Sequence, residues 1–330
     1  MTTRVTLGLE EEVFVCEPER PNLGSLAYLA RLTWSDPKRH YARTASNLAR
    51  GDDLPQGLMS CVEISTGVHD DPEALVDDIA QRRRELAKAV GGRGLLVPLG
   101  HLLQNDAPTN VAALQFHVGA PDRERAYRNL GYALPLLALV AADSPGASGE
   151  RFGQSYRMAK GFAVGPLGSD PTVRFQDLIV SKRLGTIEVR LLDPVWDLLR
   201  VRTLARAIRE IAALETDLPF DREAYNALRY RVALEGWTDE LEPIHETVSQ
   251  VADLPREMME DTAADQVWDL YHQVGLIPTY SALDNAYRTG VFAPRPVAPM
   301  KASALRAAAG LAGYYVPKFP YVTWKFLKEK

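Results

Sequence analysis

The chain has 330 residues, of which 46% are hydrophobic and 25% charged, and its formal net charge is -5. This is the composition of a globular protein with enough apolar material for a large core. The basic residues are spread along the chain rather than clustered, so the charge pattern argues against a nucleic-acid-binding protein.

The cysteines and the apolar stretches indicate the cellular compartment of the protein. Cys16 and Cys61 are too few for a disulfide framework and form no CxxC motif, so we expect two buried thiols in a reducing environment. The first residues lack the charged and apolar regions of a signal peptide. The longest apolar stretch, 134–142, is interrupted by Pro135 and is too short to cross a bilayer. We therefore expect a cytoplasmic protein with no membrane partner.

Several segments alternate between apolar and polar residues with the period of a β-strand. Strands are predicted over Val5–Cys16, Met59–Thr66, Leu114–Gly119 and Gly185–Leu192, with a short apolar strand over Leu95–Leu99. In the last long strand, alternation places Leu191 on the apolar face and Leu192 on the polar face.

Helical periodicity and helix-ending residues predict the remaining elements. Helices are expected over 72–90, 122–143 and 198–214, with a kink at Pro135 in the second, and the chain is mainly helical from 222 to 288. A Pro-rich linker at 294–299 precedes one more helix over 301–312. The aromatic and basic tail, 314–330, is expected to pack on the body or on a second subunit, because so much apolar surface is seldom left exposed.

The polar faces of the long strands carry isolated chemical groups. They are Glu10 and Glu12, Glu63, His117, and Glu188 with Arg190. If the strands form one sheet, these groups line one cleft, and so many carboxylates together favour a bound Mg²⁺ or Mn²⁺. A solvated sheet face carries the same residue types, so alternation alone leaves both readings open. Glu11 falls on the apolar face and needs either a buried partner or a bulge.

Five short motifs occur in order along residues 8–193. They are Gly8-Leu9-Glu10-Glu11-Glu12, Val62-Glu63-Ile64-Ser65-Thr66-Gly67, Gln115-Phe116-His117-Val118-Gly119, Ser155-Tyr156-Arg157 and Gly185-Thr186-Ile187-Glu188-Val189-Arg190-Leu191-Leu192-Asp193. In this order they resemble the motif series of the glutamate–cysteine ligase family, in its carboxylate–amine ligase branch. The resemblance covers about residues 5–215.

The resemblance implies a fold class and a division of the chain. The family has a glutamine-synthetase-like fold, so we expect an α+β protein with a curved antiparallel sheet, helices on its convex face and a helical C-terminal part. Residues 1–216 are expected to form the catalytic sheet core, and residues 217–330 a mainly helical part packed on it. Relatives also imply a homodimer.

Functional residues carry over from the family motif by motif. The implied metal ligands are Glu10, Glu12, Glu63, His117 and Glu188. Arg190 matches an arginine that contacts the phosphates of ATP, and Arg157 is a second candidate catalytic residue. Ser155, Tyr156 and Arg157 match a segment on the substrate or nucleotide side, and Thr66 is a further candidate for substrate binding.

The chain departs from its relatives at two places. Where relatives carry an arginine before the last motif, this chain has Ile179, and Lys182 or Arg183 is expected to replace that arginine at the cofactor. Relatives often have Gly-x-His-Pro, whereas Gly100-His101 is followed here by Leu102. The acid and the amine are therefore left open.

The reaction implied by the resemblance has two steps. ATP phosphorylates a substrate carboxylate with the help of Mg²⁺ or Mn²⁺, and an amine then attacks the acyl phosphate to form an amide. The partners are thus a small carboxylate and an amine. Two alternatives remain: a phosphotransferase on the same fold that forms no amide, and a non-catalytic regulatory protein. The intact carboxylates argue against the latter.

Overall fold

The computed structural model describes residues 4–16, 25–36, 44–47, 61–92, 94–105, 111–160, 176–181, 184–297 and 316–328, with isolated positions between 305 and 313. Most of the helix expected over 301–312 lies outside these residues, as do Lys182 and Arg183.

Seven strands form one antiparallel sheet. They are β1 (Thr6–Cys16), β2 (Thr44–Asn47), β3 (Cys61–Ser65), β4 (Leu95–Val97), β5 (Leu114–Gly119), β8 (Leu178–Val180) and β9 (Ile187–Leu192), and β6 (Gly146–Ala147) and β7 (Glu150–Arg151) form a separate hairpin. The strand order is β2-β3-β1-β5-β9-β8, and β4 pairs with the end of β1. The four long predicted strands therefore lie side by side, as convergence of their polar faces requires.

Helices account for most of the remaining residues that the structure describes. They are α1 (Ser25–Ser35), α2 (Pro72–Val90), α3 (Arg123–Ala141), α4 (Tyr156–Lys160), α5 (Leu198–Ala213), α6 (Arg222–Glu235), α7 (Glu242–Val248), α8 (Arg256–Glu260), α9 (Ala263–Val274), α10 (Leu276–Thr289) and α11 (Phe319–Lys328), with 3₁₀ turns at Asp239–Leu241 and Val316–Lys318. None of the described helices combines the length and the apolar character needed to cross a bilayer.

Local sequence explains where the long helices begin and end. Asp71 caps α2 through the amide of Glu73, Pro72 occupies its first position, and the helix stops at Gly91, whose φ is +69°. Asp122 caps α3 in the same way through the amide of Arg125. These signals are readable in the sequence, so the predicted bounds of both helices are correct to within two residues.

The apolar face of the sheet packs on helices. Leu9, Phe116 and Val189 are fully buried there, against the apolar residues of α2, α3 and α5. Burial of a side chain of this size contributes about 1.5–3 kcal/mol. The sheet is thus covered on one side, and the polar side chains point to the other.

Strand β9 departs from simple alternation. The β5–β9 register shifts by one residue, because Phe116 pairs with Val189 whereas Leu114 pairs with Leu192. The bulge lies at Arg190 and Leu191, and it turns Leu192 onto the apolar face. The prediction that Leu192 shares a face with Glu188 is therefore wrong.

The C-terminal tail leaves two aromatic side chains open. Phe319 and Trp324 are 72% and 56% exposed, so this chain does not cover them, and packing on a second subunit stays a prediction. The division at residue 216 stays a prediction, although α6 packs on α3 and α10 packs on β4.

Candidate active site

The side of the sheet that faces away from the helices carries an acidic face, by which we mean Glu10, Glu12, Glu63, His117 and Glu188. Direct cross-strand pairs place these residues on one surface, since paired residues point to the same side of a sheet. Glu12 of β1 pairs with Glu63 of β3, and His117 of β5 pairs with Glu188 of β9. Gly8, two residues before Glu10 on β1, pairs with His117. The structure thus places all five predicted metal ligands on one face of the sheet.

The electrostatics of Glu63 show how close the carboxylates lie. Burial of Glu63, and then the charges of Glu10 and Glu12, raise the pKa of its carboxyl group to about 8, with Glu188 adding to the rise. The Arg190 guanidinium opposes this rise. The charges of Glu10, Glu12, Glu188 and Arg190 therefore all act on Glu63. With a pKa of about 8, the Glu63 carboxyl group is mostly protonated at neutral pH.

Basic side chains of the chain itself already accompany the acidic face. His117 Nε2 lies 3.2 Å from Glu10 Oε2, and Arg190 forms an ion pair with Glu188. The Arg157 guanidinium donates to the main-chain oxygen of Arg190 and feels the charge of Glu12. Arg157 is 9% exposed, and its contact holds the bulged part of β9. This geometry favours positioning of Arg190 over direct chemistry as the role of Arg157.

Several donor groups at the site lack protein partners. Arg190 Nε, Arg157 Nε and His117 Nδ1 are buried and make no hydrogen bond with a described residue, and His117 Nε2 has the Glu10 carboxylate 3.2 Å away without forming a hydrogen bond. A buried donor without a partner costs about 1–3 kcal/mol. These atoms are therefore suited to an oxygen-rich ligand or, for an unprotonated imidazole nitrogen, to a metal ion.

The donor chemistry of the acidic face fits a hard divalent cation, because carboxylate oxygens and an imidazole are ligands that Mg²⁺ and Mn²⁺ accept. The described side-chain arrangement does not yet form such a centre: within the described ranges, no three His, Cys, Asp or Glu side chains are grouped closely enough to hold one ion. Glu188 points to Arg190 and Glu10 to His117. Ligation therefore requires these carboxylates to exchange an internal cation for the metal.

The remaining predicted site residues within the described ranges make contacts that serve the fold. Thr66 Oγ1 accepts the amide of Leu9 at 3.0 Å and ties the end of β3 to β1. The Ser155 hydroxyl accepts the amide of Met158 at 3.0 Å and caps α4. The ring of Tyr156 is buried, with its centroid 4.2 Å from that of His101. Their role in substrate binding stays a prediction.

The β8 strand, which the sequence pattern did not indicate, brings Ile179 to the site. Ile179 pairs directly with Glu188 across β8 and β9. An apolar side chain therefore stands beside a carboxylate of the acidic face. The Ile179 side chain is partly buried, so it is available to contact a substrate.

Two groups near the site were missed by sequence reasoning. Asp143, at the end of α3, lies beside Asp193, and burial followed by the charge of Asp193 raises the pKa of Asp143 well above its usual range. Asp193 Oδ2 accepts the Ser144 hydroxyl at 2.7 Å. The second group is the Lys318 ammonium: burial lowers its pKa to about 8, and the charge of Glu63 opposes that fall. Neither Asp143 nor Lys318 belongs to one of the five motifs, so no short motif signals them.

Comparisons with solved structures identify the fold. A bifunctional glutathione synthetase from Pasteurella multocida matches with a TM-score of 0.59 at 12% sequence identity, over 87% of this chain and 52% of that chain. Glutamate–cysteine ligase from Francisella tularensis, solved in complex with AMP, matches with a TM-score of 0.55 at 9% identity, over 95% and 93% of the two chains. This chain thus spans about half the length of the first protein.

No protein-family model matches the chain, and no curated protein matches it in sequence. At these identities the structural likeness shows the fold alone. The expected fold class is confirmed: an α+β protein with an antiparallel sheet of the glutamine-synthetase type and a helical C-terminal part.

Proposed function

We propose that this protein is an ATP-dependent carboxylate–amine ligase that forms an amide through an acyl phosphate. The observation that carries the proposal is the acidic face next to Arg190, a partly exposed arginine whose Nε atom is buried and has no hydrogen-bond partner among the described residues. A shared fold with an AMP-bound glutamate–cysteine ligase supports the same reaction class.

The site residues have two proposed roles: neutralising the charge of the phosphates and positioning the reactants. Glu10, Glu12, Glu63, His117 and Glu188 would hold Mg²⁺ or Mn²⁺, which when bound offsets the negative charge of the ATP phosphates. Arg190 would donate a fork of N–H groups to the transferred phosphoryl group. Arg157 donates a hydrogen bond to the main-chain oxygen of Arg190 and so holds the backbone of Arg190 in place.

The two-step reaction needs no nucleophile from a protein side chain. A carboxylate oxygen of the acid attacks the γ-phosphorus of ATP, and ADP leaves with the electron pair of the broken P–O bond. The amine nitrogen then attacks the acyl carbon, inorganic phosphate leaves, and the amine loses a proton to solvent. The site's contribution is therefore to align the reactants and to neutralise charge.

Ile179 bears on the choice of acid. An arginine at this position would favour a second carboxylate on the substrate, whereas an isoleucine offers only apolar contact. We infer that the acid substrate differs from glutamate in the part that contacts Ile179, and that this part carries less negative charge. The amine is open, and a panel of acids and amines is the right test.

The deciding experiment is a coupled assay of ADP release with Mg²⁺ and ATP. Amino acids and other carboxylates are tested against amines that include cysteine, with Glu188→Ala as the site variant and Glu246→Ala, an exposed glutamate on α7, as the matched control. ADP release that needs both an acid and an amine, survives in Glu246→Ala and vanishes in folded Glu188→Ala supports the ligase. Release with the acid alone indicates a phosphotransferase, and full activity of Glu188→Ala contradicts the site.

A further inference from the structure

Ser144 and Arg157 hold the bulged part of β9 at its two ends. At one end, the main-chain oxygen of Arg190 accepts a hydrogen bond from the Arg157 guanidinium. At the other end, Asp193 Oδ2 accepts the Ser144 hydroxyl at 2.7 Å and the Ser144 amide at 3.1 Å. The direction in which the bulge presents Arg190 therefore depends on where Ser144 and Arg157 lie relative to each other.

Ser144 also fixes the start of α4, the helix that carries Arg157. Its main-chain oxygen accepts the amide of Tyr156 at 2.7 Å, and Ser144 pairs with Ser155 in a bridge that closes the loop around the β6–β7 hairpin. The Ser144 hydroxyl lies 3.4 Å from the Ser155 hydroxyl and 3.4 Å from the amide nitrogen of Arg157. Helix α4 has only 5 residues. A helix this short is not stable by itself, so its position follows that of Ser144.

The packing around Ser144 leaves little room for a shift. Ser144 and Asp193 are both buried. A Cβ atom at Gly100 would lie 2.1 Å from Asp193 Oδ1 and 2.8 Å from Ser144 Oγ, so a glycine is needed for the backbone to come this close. The Ser144 hydroxyl is thus shielded from solvent and from a substrate, and it influences the reaction only through the residues that it holds.

We propose that Ser144 is a positioning residue, which joins Asp193 to Arg157 and thereby sets the orientation of the Arg190 guanidinium. The inference rests on the proposed function, because that function assigns the transferred phosphoryl group to Arg190. A misplacement of about 1 Å in a group that positions reactants lowers a rate by about 100-fold. Through Arg190, a buried hydroxyl that contacts no reactant therefore controls the rate of the chemical step.

The first readout is structural and needs neither ATP nor a metal. Nuclear magnetic resonance of the arginine Nε–H groups of the full chain reports the surroundings of Arg190 Nε, and Arg190→Lys identifies the signal by removing it. Ser144→Ala is expected to shift or broaden the Arg190 signal, because Asp193 and Arg157 lose the hydroxyl that joins them.

Two further variants separate positioning from general damage to the fold. Ser281→Ala is the matched control, because Ser281 is also buried and its hydroxyl donates to the main-chain oxygen of Pro278 at 2.8 Å and accepts the amide of Arg295 at 3.1 Å. This control should lose stability in urea much as Ser144→Ala does, and it should leave the Arg190 signal unchanged. Ser144→Cys keeps a weak hydrogen-bond donor, so it replaces Ser144→Ala if that variant does not fold, with a smaller change in the same direction.

The kinetics of ADP release provide the second readout. Ser144→Ala should lower kcat by about tenfold or more. Mn²⁺ affinity and the KM of the acid should stay near the wild-type values, because the carboxylates of the acidic face are untouched. Arg157→Met removes the donor to Arg190. The double variant Ser144→Ala/Arg157→Met should be no slower than Arg157→Met, because both changes interrupt the same series of contacts.

The outcomes separate this inference from the proposed function. An unchanged Arg190 signal in folded Ser144→Ala overturns the inference. So do equal losses of kcat in Ser144→Ala and Ser281→Ala, or losses that multiply in the double variant. Absence of ADP release by the wild type across the panel overturns the proposed function instead, and the Arg190 signal still decides whether Ser144 orients this arginine.

Discussion

Arg83 of α2 donates two hydrogen bonds to the Glu11 carboxylate of β1 in the interior of the protein. Arg83 Nη2 lies 2.5 Å from Glu11 Oε1, and Arg83 Nε lies 3.1 Å from Oε2. The Tyr287 hydroxyl donates to the same Oε2 at 2.8 Å. Arg83 also donates to the main-chain oxygens of Val195 and Trp196, so it ties the first strand to the chain that follows β9.

This ion pair makes a clear prediction for stability. Arg83→Ala leaves the fully buried Glu11 carboxylate without its main partner, and removing one member of a buried pair costs about 3–5 kcal/mol. Urea unfolding followed by circular dichroism measures the loss. Arg84→Ala removes the neighbouring, exposed arginine and is expected to change stability by about 0.5 kcal/mol or less. Similar values for the two variants would contradict a stabilising role for the pair.

The three consecutive glutamates show what the sequence reveals and what it leaves open. Alternation assigns Glu10 and Glu12 to one face and Glu11 to the other, and the structure confirms this assignment. The pattern also indicates that Glu11 needs a partner, but the partner lies 72 residues away and depends on how α2 packs. Local patterns determine faces, whereas tertiary packing determines partners.

The same distinction explains the errors. The bulge in β9 arises because Arg190 and Leu191 together oppose a single residue of β5, and alternation within one strand cannot reveal a mismatch between two strands. Strand β8 is too short for periodicity to register. The motifs thus indicated which side chains share one face of the sheet, but not the basic groups that pair with them.

The pair of Asp143 and Asp193 predicts a pH dependence of stability. Asp143 Oδ2 and Asp193 Oδ1 are both buried without a donor among the described residues, and one proton shared between them satisfies both. The pKa of Asp143 is raised in the folded state. Its contribution to stability is therefore fully present below the unfolded pKa of about 3.9 and is lost as pH rises through the folded pKa.

Asp143→Asn tests this assignment, because an amide imitates the protonated acid at every pH. Urea unfolding between about pH 5 and pH 9 should show a smaller loss of stability in the variant than in the wild type. Asp143→Ala removes the acceptor of the Gly100 amide as well and is expected to cost about 1–3 kcal/mol. Asp269→Asn, at an exposed site on α9, serves as control, and a wild-type pH profile in Asp143→Asn would refute the shared proton.

Glu63 predicts a coupling between metal binding and proton release. With a pKa of about 8, its carboxyl group is mostly protonated at neutral pH, and a carboxylate must lose its proton to ligate a metal. Mn²⁺ binding near pH 7 should therefore release about one proton per ion. Calorimetry in buffers with different ionisation enthalpies measures that number. Glu63→Gln should bind more weakly and release almost none, and unchanged release in this variant would remove Glu63 from the ligand set.

Arg190 is the residue on which the phosphoryl-transfer step depends. Its guanidinium pairs with Glu188, its main-chain oxygen is held by Arg157, and its Nε is buried without a partner in the described part of the chain. Arg190→Lys keeps the charge but replaces the planar fork with a single ammonium, which cannot make the same paired hydrogen bonds.

We expect Arg190→Lys to lower kcat by on the order of 100-fold, the size of effect seen when one donor to a developing charge is lost. Mn²⁺ affinity should change little, because the positive charge beside Glu188 is retained. Arg209→Lys, at an exposed position of α5, is the matched control and should keep wild-type kcat. If Arg190→Lys instead retains kcat and raises only the KM of the acid, then Arg190 binds the substrate carboxylate, and the phosphate must be held by another cation of the site.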